Sequence, residues 1–251
     1  MVSDTPIEIE AGGLTAKDKE QEMTAMIYEN IRPGIFLSRP NRFIAQVEIN
    51  SRVEKCHVKN TGRCAELLIP GATVMVQPVN RPGRLTGYDL VSVWKGDRLI
   101  NMDSAVPNKV FAEYLRGSQY IKDLTLIKPE TRFGNSRFDF YLEAGERKIF
   151  IEVKGVTLEE DGVAMFPDAP TERGVKHLRE LIRCLDSGFE AQAVFIIQMK
   201  GLRYFTPNIR THAAFGEALK AADKAGVTIR AMDCRVGDNC IAIADPVPVK
   251  L

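Results

Sequence analysis

Two alternating runs, Ser136-Arg-Phe-Asp-Phe-Tyr-Leu142 and Ile149-Phe-Ile-Glu-Val-Lys154, constrain this chain more than anything else in it. Successive side chains of a strand point to opposite faces. Phe138, Phe140 and Leu142 are therefore expected on one face, with Asp139 on the other. In the second run Ile149, Ile151 and Val153 share a face, which leaves Glu152 and Lys154 together opposite them. A two-residue Gly145-Glu146 loop, or a four-residue loop from Ala144 to Arg147, would set a hairpin register with Asp139 directly across from Glu152. Side chains so opposed have Cβ atoms roughly 4.5–5.5 Å apart.

Two carboxylates that close repel unless a cation or a shared proton stands between them. A hard divalent ion with oxygen ligands, Mg²⁺ or Mn²⁺, resolves the repulsion. Lys154 brings an ammonium to the same spot. This combination suits phosphodiester hydrolysis: a bound metal lowers the pKa of its water, and a lysine can orient that water or offset charge on the phosphorus. The bland alternative is a solvent-facing sheet on which Lys154 merely bridges two acids. The apolar Phe150, on the face of Glu152 and Lys154, speaks against full exposure.

Before this hairpin the chain carries short apolar runs broken by turn residues. Strands are expected at Phe43–Ile49 and Arg52–Val58 around an Asn50-Ser51 turn, then at Thr73–Val79 and Tyr88–Trp94. Four or five short strands in about sixty residues predict a small β-barrel or sandwich; an OB-type barrel is the size that fits, and periodicity alone does not fix that topology. Past residue 100 the pattern mixes helix and strand. A helix opening near Pro107 and ending near Gly117 presents Val110, Phe111, Tyr114 and Leu115 on one side. A second, N-capped by Thr171, aligns Val175, Leu178, Leu181, Ile182 and Leu185. Ala193–Ile197 and Val227–Ala231 read as strands, and 213–225 as a helix closed by Gly226. The expected class is α+β overall: residues 1–25 a mobile arm or weak helix, 26–98 the barrel, and 99–251 an α/β domain.

No apolar run approaches the ~20 residues that cross a bilayer, and the first ten residues lack the apolar core of a signal peptide. A cytoplasmic protein with no membrane partner is expected. The five cysteines have no CxxC spacing, which predicts buried free thiols. Net charge is +1, so any affinity for nucleic acid must come from local clusters such as Arg173, Lys176 and Arg179. A homodimer is left open.

Four segments carry a resemblance. His57-Val-Lys-Asn60-Thr-Gly62-Arg63 and the following Leu67–Gly71, Phe133-Gly-Asn-Ser-Arg-Phe-Asp139-Phe, Glu152-Val-Lys154-Gly-Val-Thr157, and Phe166-Pro-Asp168-Ala-Pro-Thr171-Glu-Arg173-Gly-Val-Lys176-His177-Leu178 resemble, in order, the signatures of the sugar fermentation stimulation protein A (SfsA) family. The resemblance implies an OB-like barrel followed by a domain similar to the PD-(D/E)XK nucleases, also called restriction-endonuclease-like. Asp139 would be the motif Asp, Glu152 the acidic residue and Lys154 the lysine, although Arg137-Phe138 stands where that motif has its Pro. Such nucleases often add a metal-binding Glu from the preceding segment, and Glu113 and Glu130 are rival candidates. Family members have also been regarded as DNA-binding regulators of sugar (maltose-type) metabolism, and this fold serves binders as well as nucleases.

The expected partner is nucleic acid, DNA more than RNA. Asn60 and Arg63 beside Gly62 could meet a phosphate, or Asn60 could only shape its own turn. Arg173, Lys176 and His177 start a helix where free N–H groups favour an anion; His177 could equally pack inward. Tyr88 could stack on a base, and Trp94 is expected in the core. Three readings remain: a metal-dependent nuclease, a binding regulator without turnover, and an interaction module of carbohydrate metabolism.

Overall fold

The computed structural model describes residues 25–60, 62–117 and 120–251. Most of the expected N-terminal arm therefore lies outside the described residues. Six strands build the first half: β2 (Arg32–Asn41), β3 (Ile44–Ile49), β4 (Arg52–Val58), β5 (Thr73–Pro78), β6 (Tyr88–Lys95) and β7 (Arg98–Asn101). They run in the order β4-β3-β2-β5-β6-β7. A parallel pairing of β4 with β6, Cys56↔Tyr88 to Val58↔Leu90, closes five of them into an OB-like barrel. The β3–β4 turn is the expected one: Asn50 and Ser51 both adopt positive φ, 50° and 60°, the backbone that a tight two-residue hairpin requires.

The second half is an α/β domain on a seven-stranded sheet. Its order is β1-β16-β15-β13-β10-β9-β8, from β1 (Met26–Ile27), β8 (Leu124–Phe133), β9 (Ser136–Ala144), β10 (Arg147–Val156), β13 (Glu190–Ile197), β15 (Thr228–Val236) and β16 (Cys240–Val247). The central strands β10, β13 and β15 are parallel, and β13 is buried along almost its whole length, as a strand covered on both faces is. On one face lie α2 (Glu172–Asp186) and α3 (Ala213–Ala225), packing Leu178, Leu181, Phe195 and Phe215 into one core. On the other lies α1 (Val106–Gly117), packing Val110 and Phe111 against Phe140 and Ile151. A small sheet of β11 (Leu158–Glu160), β12 (Val163–Phe166) and β14 (Tyr204–Pro207) flanks them.

The expected division at residue 98 shifts at both ends. Met26 and Ile27 pair with Ile241 and Cys240, so they belong to the larger sheet. β7 extends the barrel sheet on β6 as far as Asn101. The strand β2, which contains Pro33, Gly34 and Pro40, is not among the expected strands. Gly34 is where two strands press together: a Cβ there would lie 2.6 Å from Val47 Cγ1 and 2.9 Å from the Glu48 carbonyl. Cys56, Cys64, Cys184 and Cys234 are buried free thiols, as expected, whereas free Cys240 is only partly buried. Burial pushes the thiols of Cys56, Cys64 and Cys184 up to about 12, so they are inert.

Candidate functional site

The hairpin of β9 and β10 turns on Gly145-Glu146, with Arg147 opposite Ala144 and Gly145 at φ +60°. Its pairs end at Ile151↔Phe140, one step short of the expected pair of Glu152 with Asp139. There a side chain takes over from the main-chain ladder. Asp139 Oδ2 accepts the Val153 N–H at 2.8 Å, and Oδ1 accepts from Asn108 Nδ2 at 2.8 Å. The alternation expected for this strand breaks at the same point. Phe138 packs on Phe150, 5.6 Å between rings, on the α2 side of the sheet. Phe140 and Leu142 pack on the α1 side, where Phe140 meets Phe111 at 5.6 Å. In the neighbouring strand Glu130, at φ +54°, falls between the pairs Pro129↔Phe140 and Thr131↔Phe138, so the irregularity spans both strands.

Asn108 is delivered by the start of α1, which is tied to the barrel. Fully buried Asp103 accepts the Ala105 N–H at 3.0 Å and pairs with Lys59 from the barrel. Sequence reasoning missed Asn108 because only tertiary packing brings it to Asp139.

Glu152 is 3% exposed, and Lys154 Nζ and His177 Nδ1 both hydrogen-bond its Oε1. Its Oε2 is buried with no hydrogen-bond partner. The two carboxyls are driven apart in acidity. Burial and then the Glu152 charge push Asp139 up, against the Val153 N–H, Lys154 and Asn108. For Glu152 burial also pulls upward, but the His177 hydrogen bond and Lys154 outweigh it and leave the carboxyl below its ordinary value. A buried carboxylate oxygen without a donor is costly unless something not in the protein completes it. The donor set of Asp139 and Glu152 fits a hard divalent cation on that ground.

The rival third ligands are not brought in. On α1 Asn108 faces Asp139, and Glu113, five residues on, is turned roughly 140° around the helix. Burial raises the Glu113 carboxyl, with no contribution from Asp139 or Glu152. Glu130 is half exposed and pairs with Arg137 at 2.6 Å.

Of the residues expected at nucleic acid, Arg173 and Lys176 are exposed and line a groove with Arg137 and Arg179. His177 is buried, at 5% exposure, so it does not serve as a surface contact. The stripe could have shown this: it lies four residues before Leu181 and seven before Cys184, both fully buried. Asn60 forms its own turn, Oδ1 accepting the Gly62 N–H at 2.8 Å, while Arg63 is exposed. Arg39 is committed to structure, donating to the carbonyls of Asn60, Gly62 and Arg63. Trp94 is 36% exposed and lies outside the core, because it stands at the end of β6 where the strand leaves the barrel.

Two family models account for most of the chain: the SfsA N-terminal OB domain over residues 37–102 and the sugar fermentation stimulation protein RE domain over residues 105–240. The chain belongs to the SfsA family. An SfsA homologue of Desulfitobacterium hafniense (strain Y51) is 66% identical over 226 residues, covering 90% of this chain and 99% of that protein. One from Clostridium beijerinckii is 58% identical over the same length, covering 90% and 100%. Both are called sugar fermentation stimulation protein homologs. Among solved structures, Pyrococcus furiosus SfsA in complex with Ca²⁺ matches with a TM-score of 0.82 at 32% identity, over 90% of this chain and 98% of that one. Among the described residues no helix is long and apolar enough to cross a membrane.

Proposed function

We propose that this SfsA protein is a divalent-metal-dependent nuclease whose C-terminal domain is of the PD-(D/E)XK type. The observation that carries the reading is buried Glu152 beside half-buried Asp139, with a lysine on one Glu152 oxygen and no partner on the other. Asp139 and Glu152 would hold Mg²⁺ or Mn²⁺. When bound, such an ion activates a water and offsets charge at the phosphorus. The rest is the work of the chain. Asn108 and the Val153 N–H fix the Asp139 carboxylate. Lys154 supplies a positive charge beside the reacting phosphate, an electrostatic role. Arg137, Arg173, Lys176 and Arg179 hold the nucleic-acid backbone in their groove, with the exposed Arg63 as a further contact on the barrel. The Ca²⁺ complex of the Pyrococcus furiosus relative supports a divalent site in this fold.

A second reading, a DNA-binding regulator of sugar metabolism without turnover, is favoured by one observation. Among the described residues no group of three or more His, Cys, Asp or Glu side chains is gathered to hold a metal. Two carboxylates make a sparse site.

The test compares wild type with Asp139→Ala and Lys154→Ala on labelled single- and double-stranded DNA and RNA, in EDTA, Mg²⁺ or Mn²⁺. The nuclease reading expects metal-dependent cleavage that falls at least ~10²-fold in both variants. No cleavage of any substrate, with binding intact in all three proteins, selects the regulator instead.

A further inference from the structure

Both donors that reach Glu152 settle on the same oxygen. Lys154 comes from within β10 and His177 from α2, and each meets Oε1, leaving Oε2 without a partner. The second donor is itself held. Arg173, one helical turn earlier, directs its Nε–H at His177 Nε2 at 3.4 Å. A guanidinium only donates, so His177 Nε2 accepts, and its Nδ1 carries the hydrogen given to Glu152. The ring stands edge-on to Phe138, 5.9 Å between centroids, which limits its rotation. Arg173 is exposed in the basic groove while His177 is buried, so the chain of contacts runs from the groove inward to the carboxylate.

We propose that His177 is a positioning residue that occupies Glu152 Oε1 and thereby presents Oε2 to the divalent cation, with Arg173 setting the ring's tautomer from the groove. The proposal rests on the metal reading given above. The physical reason is general: groups that hydrogen-bond a ligating carboxylate or imidazole fix its orientation, and losing one costs roughly 10–100-fold in metal affinity. It also makes Arg173 the residue through which a phosphate in the groove and an ion at Glu152 sense each other. A ligand that draws Arg173 away frees the ring nitrogen that fixes the tautomer.

The test measures Mn²⁺ binding to the full chain, by the loss of the free-ion electron paramagnetic resonance signal, with thermal unfolding run in parallel. Five variants are compared: His177→Ala, His177→Asn, Arg173→Ala, Asp139→Ala and Glu152→Gln. An asparagine amide can place a donor near the position of Nδ1. Expected is a loss of roughly 10–100-fold in affinity for His177→Ala, recovered in most part by His177→Asn. Arg173→Ala, altered at an exposed position, is expected to weaken Mn²⁺ binding with little change in melting temperature, and it decides the matter should His177→Ala fail to fold. Equal losses in the alanine and asparagine variants, or wild-type affinity in Arg173→Ala, would overturn the proposal while Asp139→Ala still abolishes binding. Unchanged binding in Asp139→Ala and Glu152→Gln would overturn the metal reading itself and this proposal with it.

Discussion

Gly155 follows Lys154 where β10 passes the start of α1. A Cβ there would lie 2.6 Å from Gln198 Oε1 and 2.7 Å from Pro107 Cγ. Pro107 precedes Asn108, which holds Asp139, so a methyl group at 155 would push the helix start away from the carboxylate. Gly155→Ala should cost about 1–3 kcal/mol by overpacking. It should also weaken Mn²⁺ binding by loosening Asn108 from Asp139; a urea midpoint and an ion titration read the two effects. A variant unchanged in both would contradict this coupling. At this scale the sequence was informative where geometry is local. Strand periodicity and a two-residue loop gave the hairpin, its turn and its register as far as Ile151↔Phe140. They did not foresee that Asp139 would reach into the ladder and turn Phe138 to the other side of the sheet, because that depends on Asn108 and on the bend at Glu130. His177 was open to either reading until its distance to Leu181 and Cys184 was weighed.

At the scale of elements, α2 connects the groove to the centre, and its start is set by Thr171. The Thr171 hydroxyl accepts the Gly174 N–H at 3.0 Å, and the helix bears Glu172 in its first turn and Arg183 in its last. Both charges complement the helix dipole. Thr171→Ala should destabilise by ~1 kcal/mol and Thr171→Ser by little, read as the shift in denaturant midpoint. Equal destabilisation by both would show that the Thr171 methyl group, not the cap, matters. This helix was legible because an N-cap and an apolar stripe are local signals, as was α3, closed by Gly226 at φ +103°. The strands that escaped notice carry interruptions with tertiary causes. β8 contains Pro129 and a register shift between Leu124 and Leu126, and β16 contains Pro246 with a register shift facing it in β15, between Met232 and Cys234.

Across the whole molecule, the barrel is tied to β11 by ion pairs from half-buried cations to the buried Glu159, which sequence order could not reveal. Glu159 of β11 accepts from Lys95 at 2.8 Å and pairs with Arg98 at 3.1 Å, both from the barrel. Burial pulls its carboxyl upward, but Lys95, the Gly162 N–H and Arg98 more than offset this and hold it below the ordinary glutamate value. A depressed carboxyl stabilises the fold above its unfolded pKa and loses that contribution as pH falls through the folded one. Glu159→Gln should therefore cost roughly 2 kcal/mol near neutral pH, and the gap to wild type should close on acidification below about pH 4. Melting curves across pH read this; a gap that persists in acid would rule out the ion pairs as its source. The claim on which the functional account stands is that Glu152 Oε2 and Asp139 receive a divalent cation. Crystals soaked in Mn²⁺ and measured for anomalous scattering test it most directly. The account predicts a peak at ligand distance, ~2.1 Å, from both Glu152 Oε2 and the Asp139 carboxylate. Mn²⁺ bound elsewhere, with none at these two residues, would contradict it.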